Sequence, residues 1–179
     1  MTAAAEAIAR FTRWVDDFPA QGVRFADLTP VFTDGPAYRA VLDELAAAAP
    51  EVDLVAGIDA RGFLLGAGVA TTLGTGVLAV RKRGKLPPPV RSKDYTLEYG
   101  TACLEIPSEL SLEGRRVLIV DDVLATGGTL RATAELLAEA GAEVVALAVV
   151  LEIAVLGGRD KLTDHSTTAL VTLGAGEQS

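Results

Sequence analysis

The pattern of hydrophobic and polar positions predicts strands and helices that alternate along the chain. Short apolar runs have the length of buried strands, whereas longer stretches with apolar residues three or four positions apart predict helices. The predicted strands are 53–58, 76–80, 101–106, 116–120, 143–151 and 169–173. The predicted helices are 2–15, 34–48, 63–72 and 131–140. Because the two kinds of element alternate, we expect an α/β fold with a doubly wound, mainly parallel sheet.

One segment interrupts this alternation. Residues 81–100 are basic and rich in proline, and they show no apolar periodicity. A connection of this length is uncommon inside a compact domain and is typical of functional lids. Since no internal repeat or linker is visible, we expect one domain over 1–179 with a lid at about 81–100.

Composition and charge exclude several classes of protein. Half of the 179 residues are apolar and 22% are charged, which is typical of a globular chain. The net charge of −8 argues against a nucleic-acid partner, although a local basic pocket can still bind a small polyanion. The single cysteine, Cys103, excludes an internal disulfide and fits a cytoplasmic location. The longest apolar tract, 144–156, is broken by Glu152 and is too short to span a membrane, so no membrane partner is expected.

Residues 117–130 carry the strongest chemical signal. An apolar run ends at Asp121 and Asp122, a short bridge leads to Thr-Gly-Gly-Thr at 126–129, and a helical pattern follows. The first turn of a helix has unpaired N–H groups at its positive end, and glycines let the backbone approach an anion closely. The loop therefore predicts a phosphate site, and the two carboxylates beside it predict binding of hydroxyl groups or of a metal ion.

Other interpretations of this stretch fit less well. A Walker loop requires a lysine that does not follow Gly128, and the dinucleotide pattern Gly-x-Gly-x-x-Gly is absent here. A plain strand, turn and helix with Thr126 or Thr129 as N-cap remains open for the Gly-Gly-Thr residues alone. It accounts poorly for two acids directly after a buried strand, at the end where open α/β sheets bind ligands.

Two cationic segments also follow predicted strands. Arg61 stands in Asp-Ala-Arg-Gly at 59–62, where a guanidinium can clamp a phosphate, although a lone arginine there is more often a surface residue. The run Arg-Lys-Arg-Gly-Lys at 81–85 ends at Lys85. Such a run is usually a solvated patch, but on this acidic chain it is the main concentrated positive charge and suits a substrate with several phosphates.

The stretch 117–130 closely resembles the phosphoribosyl-pyrophosphate motif of type I phosphoribosyltransferases. The resemblance implies that the loop binds the 5-phosphate of the sugar and that the two acids face the ribose hydroxyls. It also implies that Mg²⁺ binds to the pyrophosphate of the substrate, which is the leaving group of the reaction. Arg61 is then a catalytic residue that stabilises the leaving pyrophosphate. The substrate-binding residues implied are Asp121, Asp122, Ala125, Thr126, Gly127, Gly128, Thr129, Lys85 and Tyr99.

The sequence Tyr-Thr-Leu-Glu-Tyr-Gly at 95–100 is similar to the lid of the adenine-specific members of this family. That likeness implies that Glu98 is the catalytic acid/base residue, which exchanges a proton with the purine. It also implies that Tyr99 helps to close the lid over the sugar. Taken alone, a glutamate in a loop is more often simply exposed to solvent.

Residues 18–30 resemble the base-binding hood of the same members, which we place at about 1–35. The likeness implies that Phe25 stacks on the purine, while backbone groups of Arg24 and Ala26 read its amino group and N1. Ala26 stands where the family usually has arginine, and Gln21 where it usually has proline. Taken alone, Phe25 would suit ordinary core packing.

With Gly-Gly-Arg-Asp-Lys-Leu at 157–162, the resemblance covers roughly 1–162 in the family's order. It implies a homodimeric enzyme of purine salvage that converts adenine and phosphoribosyl pyrophosphate to AMP and pyrophosphate with Mg²⁺. One alternative is a transferase for another purine base, against which the lid and the hood argue. The other is a non-catalytic phosphoribosyl-pyrophosphate sensor that regulates transcription, which would usually carry a DNA-binding extension.

Overall fold

The computed structural model describes residues 1–18, 20–97 and 100–174. Its helices are α1 (Ala3–Phe11), α2 (Thr29–Thr33), α3 (Gly35–Ala46), α4 (Arg61–Leu73) and α5 (Gly128–Glu139). Its strands are β1 (Arg13–Val15), β2 (Phe25–Asp27), β3 (Leu54–Ile58), β4 (Gly76–Lys82), β5 (Val90–Leu97), β6 (Gly100–Pro107), β7 (Arg116–Leu124), β8 (Glu143–Ile153) and β9 (Thr167–Leu173). Two short 3₁₀ turns, Ala154–Leu156 and Gly158–Lys161, follow β8.

Seven of the described strands form one sheet in the order β5-β6-β4-β3-β7-β8-β9. The pairs β3–β4, β3–β7, β7–β8 and β8–β9 are parallel. The β5–β6 hairpin joins the edge of β4 in antiparallel fashion. The predicted doubly wound, mainly parallel sheet is therefore confirmed.

Both faces of this sheet are covered, which explains the continuous apolar runs in its central strands. Alternate residues of a strand point to opposite faces. On β3, Leu54, Ala56 and Ile58 pack in the cluster that contains α5, whereas Val55 packs in the cluster that contains α1, α3 and α4. The two helical layers thus lie on opposite sides of the central strands. No helix in the described part of the chain is long and apolar enough to cross a membrane.

Glycines allow α4 to lie close against the sheet. A Cβ on Gly66 would be only 3.0 Å from Cα of Gly57, and a Cβ on Gly57 would collide with the carbonyl of Gly62. A Cβ on Gly62 would lie 2.9 Å from Oδ1 of Asp121. The start of α4 is therefore held directly against β7 where the acidic pair lies.

The first predicted helix, 2–15, is too long. α1 ends at Phe11, and Arg13–Val15 instead pairs with Phe25–Asp27 as a separate two-stranded sheet. Aromatic and β-branched residues favour a strand here, and an ion pair of 2.7 Å between Arg13 and Asp27 joins the two strands. This small sheet carries Phe25, whose ring faces the guanidinium of Arg61 at the start of α4.

The segment 81–100, predicted as an irregular loop, contains strand β5. Its residues pair with β6 from Val90↔Pro107 to Leu97↔Gly100. The strand has no clear apolar alternation because it is an edge strand, and one of its anchors is charged: Nζ of Lys93 lies 2.6 Å from Glu139 and 3.0 Å from Glu135 on α5. The segment is therefore a hairpin arm docked beside α5.

Candidate active site

The carboxyl ends of β3 and β7 lie side by side at the centre of the sheet. β3 leads into α4 on one face and β7 into α5 on the other, so the two connections diverge and leave a crevice between them. Such a switch point is the usual ligand position in open α/β sheets. The pairing of Gly57 with Val120 brings the segments 59–62 and 121–129 together at this crevice.

The acidic pair lies inside β7, not after its end as the sequence predicted. Pairing with β8 continues from Asp121↔Val149 to Leu124↔Glu152, so the strand runs four residues beyond Val120. The side chain of Asp122 is 10% exposed, and its Oδ2 lies 2.6 Å from Nη2 of Arg61. This contact is a charge pairing only, since Oδ2 is buried and accepts no hydrogen bond from the described residues.

Asp121 is in an unfavourable electrostatic position. Burial raises its pKa well above the usual value, and the charge of Asp122 raises that pKa further. The main-chain N–H of Asp122, which donates to Oδ1 of Asp121 at 2.9 Å, opposes this effect together with the charge of Arg61. The pair therefore concentrates negative potential that a hydroxyl donor or a cation would relieve.

The loop after β7 is shaped for an anion. Gly127, with φ of 77°, is the N-cap of α5, and none of the described side chains caps the helix through a hydrogen bond. The alternative in which Thr126 or Thr129 is the N-cap is therefore wrong. A glycine there leaves the first N–H groups of α5 free to face a ligand. Residues 121 and 123–130 enclose a small cavity of about 70 Å³.

A larger cavity of about 430 Å³ lies between the small N-terminal sheet and the end of β8. Phe25 and Ala26 form one wall, and Phe18 packs edge-on against Phe25 with ring centroids 5.1 Å apart. Val155 and Leu156, about half exposed, form the opposite wall. A flat, mostly apolar ligand of the size of a heterocyclic base suits such a space.

Arg61 lies in this larger cavity. Its guanidinium carbon is 5.0 Å from the centroid of the Phe25 ring, and its Nη1 donates to the carbonyl of Ala26 at 3.5 Å. The Phe25 ring and the backbone of Ala26 are two of the groups that the resemblance assigns to the purine. In this structure, Arg61 thus lies over the ring of Phe25 while it pairs with Asp122.

The basic residues that end β4, Arg81 and Lys82, contact Asp59, which directly follows β3. Nε of Arg81 lies 3.5 Å from Oδ2 of Asp59, and the main-chain N–H of Lys82 donates to the same oxygen at 3.4 Å. Arg81 is thus paired with Asp59, which shortly precedes Arg61 at the start of α4.

Comparison with known proteins decides the family. The model of the phosphoribosyl transferase domain matches residues 32–170. An adenine phosphoribosyltransferase from Rhodococcus jostii is 65% identical over 96% of this chain and 98% of its own. This chain belongs to the phosphoribosyltransferase family, among its adenine phosphoribosyltransferases.

Solved structures of adenine phosphoribosyltransferases have the same fold. One from Thermoanaerobacter pseudethanolicus is 44% identical with a TM-score of 0.90, covering 94% of this chain and 99% of its own. One from Saccharomyces cerevisiae, in complex with adenine and an imino-altritol bisphosphate, is 33% identical with a TM-score of 0.88, covering 94% and 98%. The predicted family, fold class and enzyme class are thus confirmed.

Of the predicted site residues, Lys85 is not placed at the crevice, and two others lie outside the described residues. Lys85 lies exposed in the turn after β4, and its carbonyl accepts a long hydrogen bond from Arg81. Glu98 and Tyr99 fall outside the described residues, and only their neighbours in the β5–β6 hairpin are placed. Their roles therefore stay predictions.

Sequence reasoning missed four residues around the site. Trp14, Val155 and Leu156 line the larger cavity, and the hydroxyl of Tyr95 lies 3.4 Å from Oγ1 of Thr129. The only indication in the sequence was their position beside motifs. Val155 and Leu156 directly precede the Gly-Gly-Arg motif, and Tyr95 is the first residue of the lid motif. No local pattern distinguishes such wall residues from core residues.

Proposed function

We propose that this chain transfers the 5-phosphoribosyl group of phosphoribosyl pyrophosphate to adenine, giving AMP and pyrophosphate for purine salvage. One observation carries the proposal: Val123, Ala125 and Thr126 line both the small cavity of the phosphate loop and the larger cavity beside Phe25. A phosphate site and a base site with a common wall, together with an acidic pair of which Asp121 lines the phosphate cavity, match the three parts of a nucleotide.

The sugar half of the site uses the loop after β7. We propose that the 5-phosphate accepts hydrogen bonds from the N–H groups at the start of α5 and from the hydroxyls of Thr126 and Thr129. Asp121 and Asp122 then accept hydrogen bonds from the ribose hydroxyls. Their negative charge also favours the positive charge that develops on the ring as pyrophosphate leaves C1.

The base half uses the small N-terminal sheet and the lid hairpin. Adenine stacks on Phe25, backbone groups of Arg24 and Ala26 bind its Watson–Crick edge, and N9 attacks C1 as the bond from C1 to pyrophosphate breaks. Glu98 accepts the proton that adenine loses, and Tyr99 closes the lid. The dominant effects are alignment of the two substrates and exclusion of water, which would otherwise hydrolyse the activated sugar.

Arg61 and Lys85 act on the leaving pyrophosphate. Arg61 is paired with Asp122 and lies over Phe25 in this structure, so it must rotate away from the ring before adenine can stack there. A pyrophosphate near the start of α4 supplies the stronger partner for its guanidinium. The same movement frees the base site and stabilises the leaving group.

We propose Mg²⁺ as the cofactor, bound mainly by the pyrophosphate of the substrate. Carboxylate oxygens are preferred ligands of this ion, and Oδ2 of Asp122 is a buried oxygen without a hydrogen bond from the described residues. No cluster of three or more metal-binding side chains occurs in the described parts of the chain, so Asp121 and Asp122 would be neighbours of the ion and not a complete site. The ion would neutralise charge on the leaving group.

We also propose a cytoplasmic homodimer. Leu64 on α4 and Val77 on β4 are large apolar side chains that are 55% and 48% exposed, which a second copy would cover. Cys103 is buried on β6, so its thiol is protected in either state. Light scattering of the purified chain should give twice the monomer mass, and a monomer at all concentrations would contradict the dimer.

Product analysis with a panel of bases tests the proposed activity. The chain is incubated with phosphoribosyl pyrophosphate, Mg²⁺ and adenine, hypoxanthine, guanine or xanthine in turn, with a chelator in the control reactions. We expect AMP and pyrophosphate with adenine alone. A nucleotide from another base would identify a different transferase, and no product with any base would favour a sensor.

A further inference from the structure

The segment that follows β8 touches both halves of the site. Its first turn, Ala154–Leu156, supplies Val155 and Leu156 to the wall of the larger cavity. Its second turn begins at Gly158, whose backbone packs on the phosphate loop. Only one residue, Gly157, separates the part that faces the base site from the part that supports the phosphate loop.

The contact between Gly158 and the phosphate loop is one of backbone against backbone. A Cβ on Gly158 would lie 2.8 Å from the nitrogen of Gly127 and would collide with the carbonyl of Ala125. A Cβ on Gly127 would collide in turn with the carbonyl of Gly158. Backbone atoms meet directly here, with Cδ1 of Leu124 also close to Gly158, so a displacement of the segment would displace the loop.

Arg159 fixes the position of this segment. Its Nε donates to Oε1 of Glu152 at 2.9 Å, and its Nη2 lies 2.5 Å from Oε2 of the same carboxylate. Its Nη1 donates to the carbonyl of Thr167 on β9 at 2.7 Å, and the hydroxyl of Thr172 donates to Oε2 of Glu152 at 3.2 Å. Glu152 is itself 4% exposed, so the guanidinium joins the segment to two strands of the rigid sheet.

The far end of the segment is also anchored. Leu162 is 2% exposed and packs in the core cluster with Leu124 of β7 and Leu130 of α5. The segment is thus held at Arg159 and Leu162, while Val155 and Leu156 remain about half exposed at the cavity wall. Val155 and Leu156 are therefore the part of the segment that these anchors do not hold and that a bound base would cover.

We infer that Arg159 is a positioning residue that makes the segment 154–158 a rigid link, through which the base site and the phosphate loop favour each other's occupancy. The inference rests on the proposed function for the assignment of the two half-sites. A base that covers Val155 and Leu156 orders the segment, and the ordered segment holds Gly158 against Ala125 and Gly127 in the shape that binds phosphate. Arg159 touches neither substrate in this scheme.

Calorimetry with two ligands that do not react with each other measures this link. Adenine is titrated into the full chain with and without saturating ribose 5-phosphate, and the ratio of the two dissociation constants reports the coupling. We expect tighter adenine binding with the sugar phosphate present, by a factor in the range of about 5 to 150 that is typical of coupled sites. In Arg159→Met, we expect a ratio near one, and in Arg159→Lys, which keeps the charge but loses the forked contact, an intermediate ratio.

The matched control is Arg116→Met. Arg116 pairs with Glu51 at 3.8 Å at the amino end of β7, away from the crevice. The ratio of adenine dissociation constants in this variant should equal that of the unmodified chain. Circular dichroism at the titration temperature selects folded proteins, so a general loss of structure is not counted as lost coupling. A ratio of one in the unmodified chain, or an unchanged ratio in folded Arg159→Met, would overturn the inference. The same unmodified preparation is also assayed for formation of AMP. If it forms AMP, the proposed function holds, and either of these results counts against the inference about Arg159 alone.

Discussion

At the scale of single residues, Arg61 illustrates how much of a side chain's role depends on its surroundings. Its place between a strand and a helix predicted a phosphate contact, but the structure also shows it over Phe25 and paired with Asp122. In this structure, the guanidinium pairs with a buried carboxylate and lies over an aromatic ring. Substrates are then expected to replace both contacts.

Arg61→Ala should weaken binding of phosphoribosyl pyrophosphate and pyrophosphate by about 10- to 100-fold, the value of a lost charge-assisted hydrogen bond. Binding of adenine alone should stay equal or become tighter, since the guanidinium no longer competes for Phe25. Calorimetric titration of all three ligands checks this, with Arg61→Lys as the variant that keeps the charge. An equal loss for all three ligands would contradict the assignment.

At the scale of elements, the alternation of strands and helices was predictable because the central strands are buried on both faces. The element boundaries that were predicted wrongly depend on strand pairing between residues far apart in the sequence. Arg13–Val15 forms a strand by pairing with Phe25–Asp27, and β5 is an edge strand whose Lys93 pairs with Glu135 and Glu139 on α5. β7 continues through the acidic pair because its residues pair with β8. No local sequence pattern reveals this pairing.

The candidate site was predictable to a similar extent. Motifs near strand ends predicted the acids and the loop after them as one site, since the carboxyl ends of neighbouring parallel strands share one edge of the sheet. The wall formed by Trp14, Val155 and Leu156 was not predictable, because apolar residues at a cavity and in a core have the same local pattern. The support of Gly127 by Gly158 likewise requires the three-dimensional contact.

The connection between β8 and the segment after it has a testable pH dependence. Hydrogen bonds from Arg159 lower the pKa of Glu152 below its ordinary value of 4.5. The unfolded chain therefore binds a proton at higher pH than the native chain does. The stability that the ion pair supplies is complete above about pH 4.5 and is lost as the pH falls through the lowered native pKa.

Glu152→Gln should lower the free energy of unfolding at pH 7 by about 1–3 kcal/mol, less than for a fully buried pair because Arg159 is half exposed. The difference from the unmodified chain should shrink as the pH falls below 4.5. Urea denaturation over a series of pH values measures it, with the exposed Glu109→Gln as control. A difference that stays constant with pH would argue against the ion pair.

At the scale of the whole molecule, the fold brings four separate parts of the chain to one crevice. The sheet supplies the acids and the phosphate loop, the start of α4 supplies Arg61, the small N-terminal sheet supplies Phe25, and the segment after β8 closes the opposite wall. The buried central strands hold the acids and the phosphate loop, Arg61 follows the central strand β3, and the β5–β6 hairpin lies at the edge of the sheet. Such a division suits a reaction that needs fixed alignment together with exclusion of water.

A crystal structure of the chain with AMP bound tests the central claim most directly. We expect the phosphate at the N–H groups that begin α5, the ribose hydroxyls on Asp121 and Asp122, and the adenine ring stacked on Phe25 with Arg61 displaced from that ring. A nucleotide bound with its base at the phosphate loop, bound outside the crevice, or bound while Arg61 still covers Phe25 would contradict the account.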